Sequence, residues 1–170
     1  MSILLRILDA ISLTLFRLAC LLVACIVLIV IYDVGSRNLA LPTAVWAVNS
    51  VEYAMLHITF LCLPYLVLTR GHVCVEVLLT YMPSAMRKVW QQGLQIAAAL
   101  ICFYMTWRCG ESFFRVLGNG MYEVRAFDAP MWTLYATMPL GFGLGGLQFL
   151  SFFAREYGFY GAPPEAHAGM

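Results

Sequence analysis

The stretch that decides the fold is LFRLACLLVACIVLIVI, residues 15–31. It is apolar except for Arg17, and a helix of this length covers about 25 Å at 1.5 Å per residue. Together with the residues that follow, a helix over 15–36 is long enough to cross the roughly 30 Å hydrocarbon core of a bilayer. The run is longer than the apolar core of a signal peptide, and the following IYDVGSR has no small-x-small cleavage site. We therefore expect a retained spanning helix.

Apolar stretches elsewhere in the chain predict three more spans. They cover residues 44–69, 88–108 and 131–154. Upstream of the first span, Ile3, Ile7 and Ile11 recur every four residues. This spacing places them on one helical face and predicts an amphipathic lead-in over residues 3–14.

Composition indicates the same class of protein. Of 170 residues, 62% are hydrophobic and 11% are charged, whereas soluble proteins have about half and about a quarter. These values exclude a disordered chain, a nucleic-acid binder and an ordinary soluble enzyme. The prediction is an all-α integral membrane protein with four transmembrane helices plus short amphipathic interfacial helices. Residues 1–160 are expected to form one membrane domain, and residues 161–170 a mobile tail.

The segment between the second and third spans is too short to cross a membrane. Within residues 73–83, Val73, Val77 and Tyr81 share one helical face, which predicts a helix lying in the interface. A strand over residues 73–78 is the alternative, because apolar residues alternate there.

Four spans place both chain ends on the same side of the membrane. The flanks on that side carry Arg6, Arg17, Arg70, Arg87, Lys88 and Arg155, and the opposite flanks carry Arg37, Arg108, Arg115 and Arg125. Because Lys and Arg are enriched in cytoplasmic flanks, this distribution predicts cytoplasmic termini.

Glu52 is the most informative polar residue because it lies about two turns into the second span. An ionisable group at that depth is a functional candidate by default. One interpretation is a proton- or cation-coupled site. The other, which we favour, is an ion pair or a polar contact to a partner protein. Arg37 lies just across the short loop and is the expected cation, with Asp33 one turn below it.

Other motifs do not predict catalysis or a cofactor. His57 has no second histidine on another span to share a haem, and we interpret it as a packed residue. Residues 141–146, GFGLGG, match a dinucleotide motif but lie inside an apolar span, where the motif has no meaning. Gly141 and Gly145 instead form G-x-x-x-G, which predicts a close helix contact within the bundle or to another subunit.

No metal site is predicted. The six cysteines form no C-x-x-C pair, and we interpret them as small buried hydrophobes.

The chain resembles the DctQ-like small membrane subunit of tripartite ATP-independent periplasmic (TRAP) transporters, over residues 10–155. The residues that carry the resemblance are Arg37, Trp46, Glu52, the corner Arg70-Gly71-His72-Val73, Glu76 and the helix-ending Pro83. Family members more often have Asp at the position of Glu76, and their stretch before His72 is usually slightly longer.

The resemblance implies a role in the bacterial inner membrane. The small subunit would pair with a large multi-span permease subunit that carries substrate and sodium. It would form part of the fixed scaffold and contact membrane lipid. A periplasmic binding protein would transiently deliver a carboxylate-bearing solute. Arg37, Trp46 and Glu52 would orient the second helix or contact the large subunit. Arg70, His72 and Glu76 would anchor the interfacial helix. No cofactor is implied on this chain.

Two other functions remain open from the residues alone. The first is an autonomous small ion-coupled exporter that uses Glu52. The second is a thiol–quinone membrane oxidoreductase, which needs paired reactive cysteines in an outer loop. The predicted outer loops contain only Cys109, at the end of the third span, and this disfavours the oxidoreductase.

Overall fold

A computed structural model describes residues 2–39, 42, 44–69 and 84–155. Its elements are α1 (Ser2–Asn38), α2 (Val45–Leu68), α3 (Ser84–Asn119), β1 (Tyr122–Val124), β2 (Asp128–Pro130) and α4 (Met131–Ser151). The predicted interfacial helix over residues 73–83, its strand alternative and the tail at 161–170 lie outside the described residues.

Two of these helices are long and apolar enough to cross a membrane, at Ile3–Asn38 and Val45–Leu68. The sequence predicts four. Helix α3 is less apolar because it contains glutamines and, in its last third, Arg and Glu residues. Helix α4 contains four glycines, two threonines, Pro139 and Gln148. Spanning by α3 and α4 therefore stays a prediction.

Helix α3 continues eleven residues past the predicted end of its span at residue 108. Its 36 residues make a rod of about 54 Å, well above the roughly 30 Å hydrocarbon core. Ion pairs support the extension, since Glu111 accepts from Arg108 at 2.6 Å and from Arg115 at 3.2 Å. Such pairs at i,i+3 and i,i+4 spacing stabilise a solvated helix.

An antiparallel β-hairpin, which the sequence did not predict, follows α3 in this otherwise helical chain. Tyr122 pairs with Pro130, Glu123 with Ala129 and Val124 with Asp128. Gly120, at φ 58°, lets the chain turn out of α3 in the left-handed region that glycine tolerates. The strands have three residues each, too few for an alternating pattern to be visible in the sequence.

Ring contacts fix the pairing of the first two helices. Phe16 stacks on Tyr65 with centroids 4.1 Å apart, and Tyr32 stacks on Trp46 at 6.2 Å. The early part of α1 therefore meets the late part of α2, so the two helices are antiparallel. Most of α1 is otherwise uncovered: its buried residues are Ser12, Ala19 and Ser36.

Helix α4 packs against α2 through glycines. A Cβ at Gly141 would collide with the backbone carbonyl of Phe60, and one at Gly145 with the side chain of Leu63. Between these two contacts the residue numbers increase in the same direction along α2 and α4, so the two helices run parallel. The G-x-x-x-G segment thus lets two backbones approach within this bundle.

The opposite side of α4 meets α3. A Cβ at Gly146 would lie 3.2 Å from Cys102 Cβ, and Gly143 lies over Thr106. Here the numbers run in opposite directions, so α3 and α4 are antiparallel. The hydrophobic core near the C-terminal end of α4 comprises Val67, Ala99, Cys102, Phe149 and Phe152.

Candidate partner interface and its ion pairs

Glu52 lies at the end of the bundle where the β-hairpin meets α2. Its Oε2 accepts a hydrogen bond from Arg125 Nη1 at 2.6 Å. Arg125 Nε donates to Glu123 Oε1 at 2.8 Å. The pKa of Arg125 is raised, first by the hydrogen bond to Glu123 and then by the charge of Glu52. Both side chains of the Glu52–Arg125 pair are about half exposed, so the pair lies at a surface.

An aromatic contact supports the same attachment. The rings of Tyr53 and Phe127 meet edge to face with centroids 5.8 Å apart. Phe127 belongs to the turn of the hairpin, and Tyr53 follows Glu52 in α2. One polar and one apolar contact thus hold the turn against the start of α2.

The prediction that Arg37 is the cation paired with Glu52 is wrong. Arg37 forms an ion pair with Asp33, one turn earlier on α1, at 3.0 Å. The i,i+4 spacing keeps this pair within one helix. Trp46 is partly exposed and stacks on Tyr32 of α1, so it joins α1 to α2.

A shallow cleft of about 220 Å³ lies between α1 and α2, with Asp33 on its α1 side and Glu52 on its α2 side. Its walls are mostly aliphatic, from Ile29, Val30, Ala47, Val48 and Val51, with the two carboxylates at the edge. Among the described residues, Asp33 Oδ1 is buried without a hydrogen-bond partner. Each carboxylate already has an arginine, which makes the cleft a poor cation site.

Three further buried polar atoms near this end have no partner within the described part of the chain. They are Asn49 Nδ2, Tyr53 OH and Thr137 Oγ1. Sequence reasoning did not single them out, although an Asn and a Tyr four residues apart on a predicted span are a detectable signal. His57 is satisfied locally, since its Nδ1 donates to the carbonyl of Tyr53 at 2.6 Å.

A second polar cluster joins α1 to α4 at the opposite end of the bundle, and we call it the inner clasp. Gln148 Nε2 donates to Ser12 Oγ at 2.9 Å and to Asp9 Oδ1 at 3.2 Å. Arg155 Nη2 donates to the same Asp9 oxygen at 2.6 Å. The single hydroxyl hydrogen of Ser151 is shared between two oxygens of Gln148, the backbone carbonyl at 2.7 Å and Oε1 at 3.0 Å. Gln148 and Ser12 are fully buried, and their polar groups are paired with one another.

The inner clasp lies where α4 ends, and the end of α4 is fully capped. The last four helical carbonyls accept from Ser151 Oγ, Gln95 Nε2, Phe153 N and Ala154 N. Gln95 reaches across from α3 to the carbonyl of Phe149 at 2.7 Å. A helix end without such partners would leave costly bare carbonyls in an apolar bundle. Sequence reasoning missed the inner clasp, although Gln148 within a predicted span was a usable signal.

The remaining predicted residues are placed as follows. Arg70, His72 and Glu76 lie outside the described residues. Within the described ranges, no three His, Cys, Asp or Glu side chains come together as a metal site. The cysteines described in these ranges are free thiols, namely Cys20, Cys25, Cys62, Cys102 and Cys109.

Comparison with known proteins identifies the family. The sequence model that matches is described as tripartite ATP-independent periplasmic transporters, DctQ component, and it covers residues 26–158. No curated protein sequence matches the chain. DctQ proteins are membrane components of tripartite systems that also include a large permease and a substrate-binding protein. They belong to transporters and are not enzymes. Because the match spans most of the chain and confirms the resemblance seen in its residues, this chain belongs to the DctQ family of TRAP transporter components.

Proposed function

We propose that this chain is the fixed scaffold partner of a large sodium-coupled permease subunit, in the uptake of a carboxylate-bearing solute. The family match supports membership in such a system. The observation that carries the scaffold role is the close packing of α4. Gly141 lies against the backbone of Phe60 on one side, and Gly146 lies against the side chains of Cys102 and Phe103 on the other. These contacts leave α4 little freedom to move. A rigid bundle suits a part against which a transport domain moves.

The proposal includes four spans in the bacterial inner membrane with both termini cytoplasmic. Helices α1 and α2 have the length and apolar character of spans. Helices α3 and α4 pack alongside them in alternating directions, and α3 carries exposed Trp90 and Trp107 at the two ends of its predicted span. Tryptophans at both ends of an apolar segment are typical of the two headgroup levels.

The position of Glu52 argues against an autonomous exporter. Its carboxylate is paired with Arg125 and about half exposed at the bundle end, whereas a coupling site is expected near the bilayer midplane. The thiol–quinone alternative lacks support, because Cys109 stands alone on the outer extension of α3 within the described ranges.

Co-purification tests the proposal. The tagged chain is expressed in its native membrane, solubilised gently and analysed for associated proteins. We expect a stoichiometric large permease subunit. In proteoliposomes with a sodium gradient, the two subunits together with the binding protein should accumulate a carboxylate solute, and this chain alone should not. A homo-oligomer without a larger partner, or uptake by this chain alone, would overturn the proposal.

A further inference from the structure

Two cysteines lie on opposite sides of the contact between α1 and α2. Cys20, on α1, is exposed, and Cys62, on α2, is partly buried. Both are free thiols. A cysteine that only fills space between helices is buried, so an exposed thiol opposite a second thiol calls for another explanation.

The stacked rings of Phe16 and Tyr65 set the level of the two thiols. The ring centroids are 4.1 Å apart, so these residues are opposite each other in the antiparallel helix pair. Cys20 follows Phe16 by four residues, which is about 6 Å along α1. Cys62 precedes Tyr65 by three residues, which is about 4.5 Å in the same direction. The two cysteines therefore differ by only about 1.5 Å along the helix axes.

The two thiols also lie on the same side of the helix contact. At about 100° per residue, Cys20 is turned about 40° around α1 from Phe16, and Cys62 is turned about 60° around α2 from Tyr65. Because the helices are antiparallel and the two residue steps have opposite signs, both turns are toward the same side. The sulfurs are close enough for a charge on one to act on the other, which agrees with this placement. Neighbouring thiols at one level of a helix pair are the arrangement that a disulfide requires.

We propose that Cys20 and Cys62 are a site of reversible oxidation, at which hydrogen peroxide converts the two thiols to a disulfide that locks α1 onto α2. Cys20 reacts first because it is the exposed thiol. Its sulfur takes one oxygen as the O–O bond breaks, so that a sulfenic acid forms and one water leaves. The sulfur of Cys62 then attacks the sulfur of Cys20, and the S–S bond forms as a second water leaves with the thiol proton of Cys62. Two thiols and one peroxide thus give one disulfide and two waters, and a dithiol reductant restores the thiols.

Cys25 is a matched control on the same helix. It is also exposed, but it is about 180° around α1 from Phe16 and therefore points away from α2. Peroxide that oxidises Cys25 should form no disulfide between this residue and α2.

The experiment treats the chain in its native membrane with hydrogen peroxide and maps disulfides by mass spectrometry of unreduced peptides. Wild type and Cys25→Ser should each give a linked pair of peptides that contain Cys20 and Cys62, and dithiothreitol should remove the link. Cys20→Ser and Cys62→Ser should give no link. In Cys62→Ser the sulfenic acid of Cys20 has no partner thiol, so dimedone should trap it about tenfold more than in wild type.

The thermal midpoint of the purified chain tests the lock itself. A disulfide between two helices restricts the unfolded chain, so oxidation should raise the wild-type midpoint by about 5 °C or more. Oxidation should not raise the midpoint of Cys62→Ser, which cannot form the link.

Three results would overturn the inference, and the wild-type chain alone is enough to obtain each of them. If peroxide produces no Cys20–Cys62 link, the two thiols do not form a redox site. If the link joins two copies of the chain, seen as a dimer on a non-reducing gel, it does not lock α1 onto α2 within one copy. If the link forms within one copy and the midpoint does not rise, the disulfide is not a lock. The inference uses contacts within this chain only, so none of these results changes the proposed transport role.

Discussion

Glu52 and Arg125 are 73 residues apart in sequence, yet Nη1 of Arg125 donates to the Glu52 carboxylate at 2.6 Å. This ion pair ties the hairpin after α3 to the start of α2. It lies at the surface, where a pair contributes little to global stability. Its effect is therefore local, on the position of the hairpin at that end of the bundle.

We predict that Glu52→Gln and Arg125→Gln each loosen the hairpin, and that Arg125→Gln has the larger effect because it also removes the bond to Glu123. Either change removes the ion pair, while the Tyr53–Phe127 contact remains. Hydrogen exchange over residues 121–130 should be faster in both variants, with no change in α4. The double variant should exchange no faster than Arg125→Gln alone. An additive effect would show that the two side chains act separately.

The raised pKa of Arg125 gives a prediction about pH. A cation whose pKa is raised on folding contributes stability below its unfolded pKa and loses it only as pH rises through the folded value. For an arginine both values lie far above neutrality. Hairpin protection, corrected for intrinsic exchange, should therefore be constant from pH 7 to pH 10. A loss of protection within that interval would mean that another group holds the hairpin.

Gly141 and Gly143 form a matched pair for testing the α2–α4 contact. We predict that Gly141→Ala destabilises the chain by about 1–3 kcal/mol, because its Cβ would collide with the Phe60 carbonyl, which cannot move alone. Gly143→Ala adds a Cβ at an ordinary 3.5 Å from Thr106 and gains helix propensity, so its unfolding free energy should be unchanged or higher. Denaturant unfolding in detergent measures both. Equal effects would contradict the packing described for α4.

The inner clasp predicts a cost for removing its central amide. Gln148→Leu should destabilise the chain by about 1–3 kcal/mol, since it removes the amide that donates to buried Ser12 and to Asp9. Gln92→Leu is the control, because Gln92 is an exposed glutamine on α3. Unfolding free energies of the two variants provide the comparison. A similar small change in both would show that the hydrogen bonds of Gln148 contribute little.

Much of the bundle was predictable because helix formation depends on local features. Apolar runs of the right length predicted α1, α2, the first part of α3 and α4, and the spacing of Gly141 and Gly145 predicted a close helix contact. The hairpin was not predictable, because strands of three residues carry no periodic signal and depend on what they pack against. The family was recognisable from the order and spacing of residues such as Arg37, Trp46 and Glu52, and the family comparison confirms it.

The sequence by itself determined the class of protein, because hydrophobicity and helical periodicity are properties of contiguous residues. Only the tertiary structure decided which charges meet. Arg37 is closer to Glu52 in sequence than Arg125 is, but α1 holds Arg37 beside Asp33, and the turn of the hairpin brings Arg125 across instead. Pairing between distant residues depends on how the helices are arranged, and no local pattern encodes that arrangement.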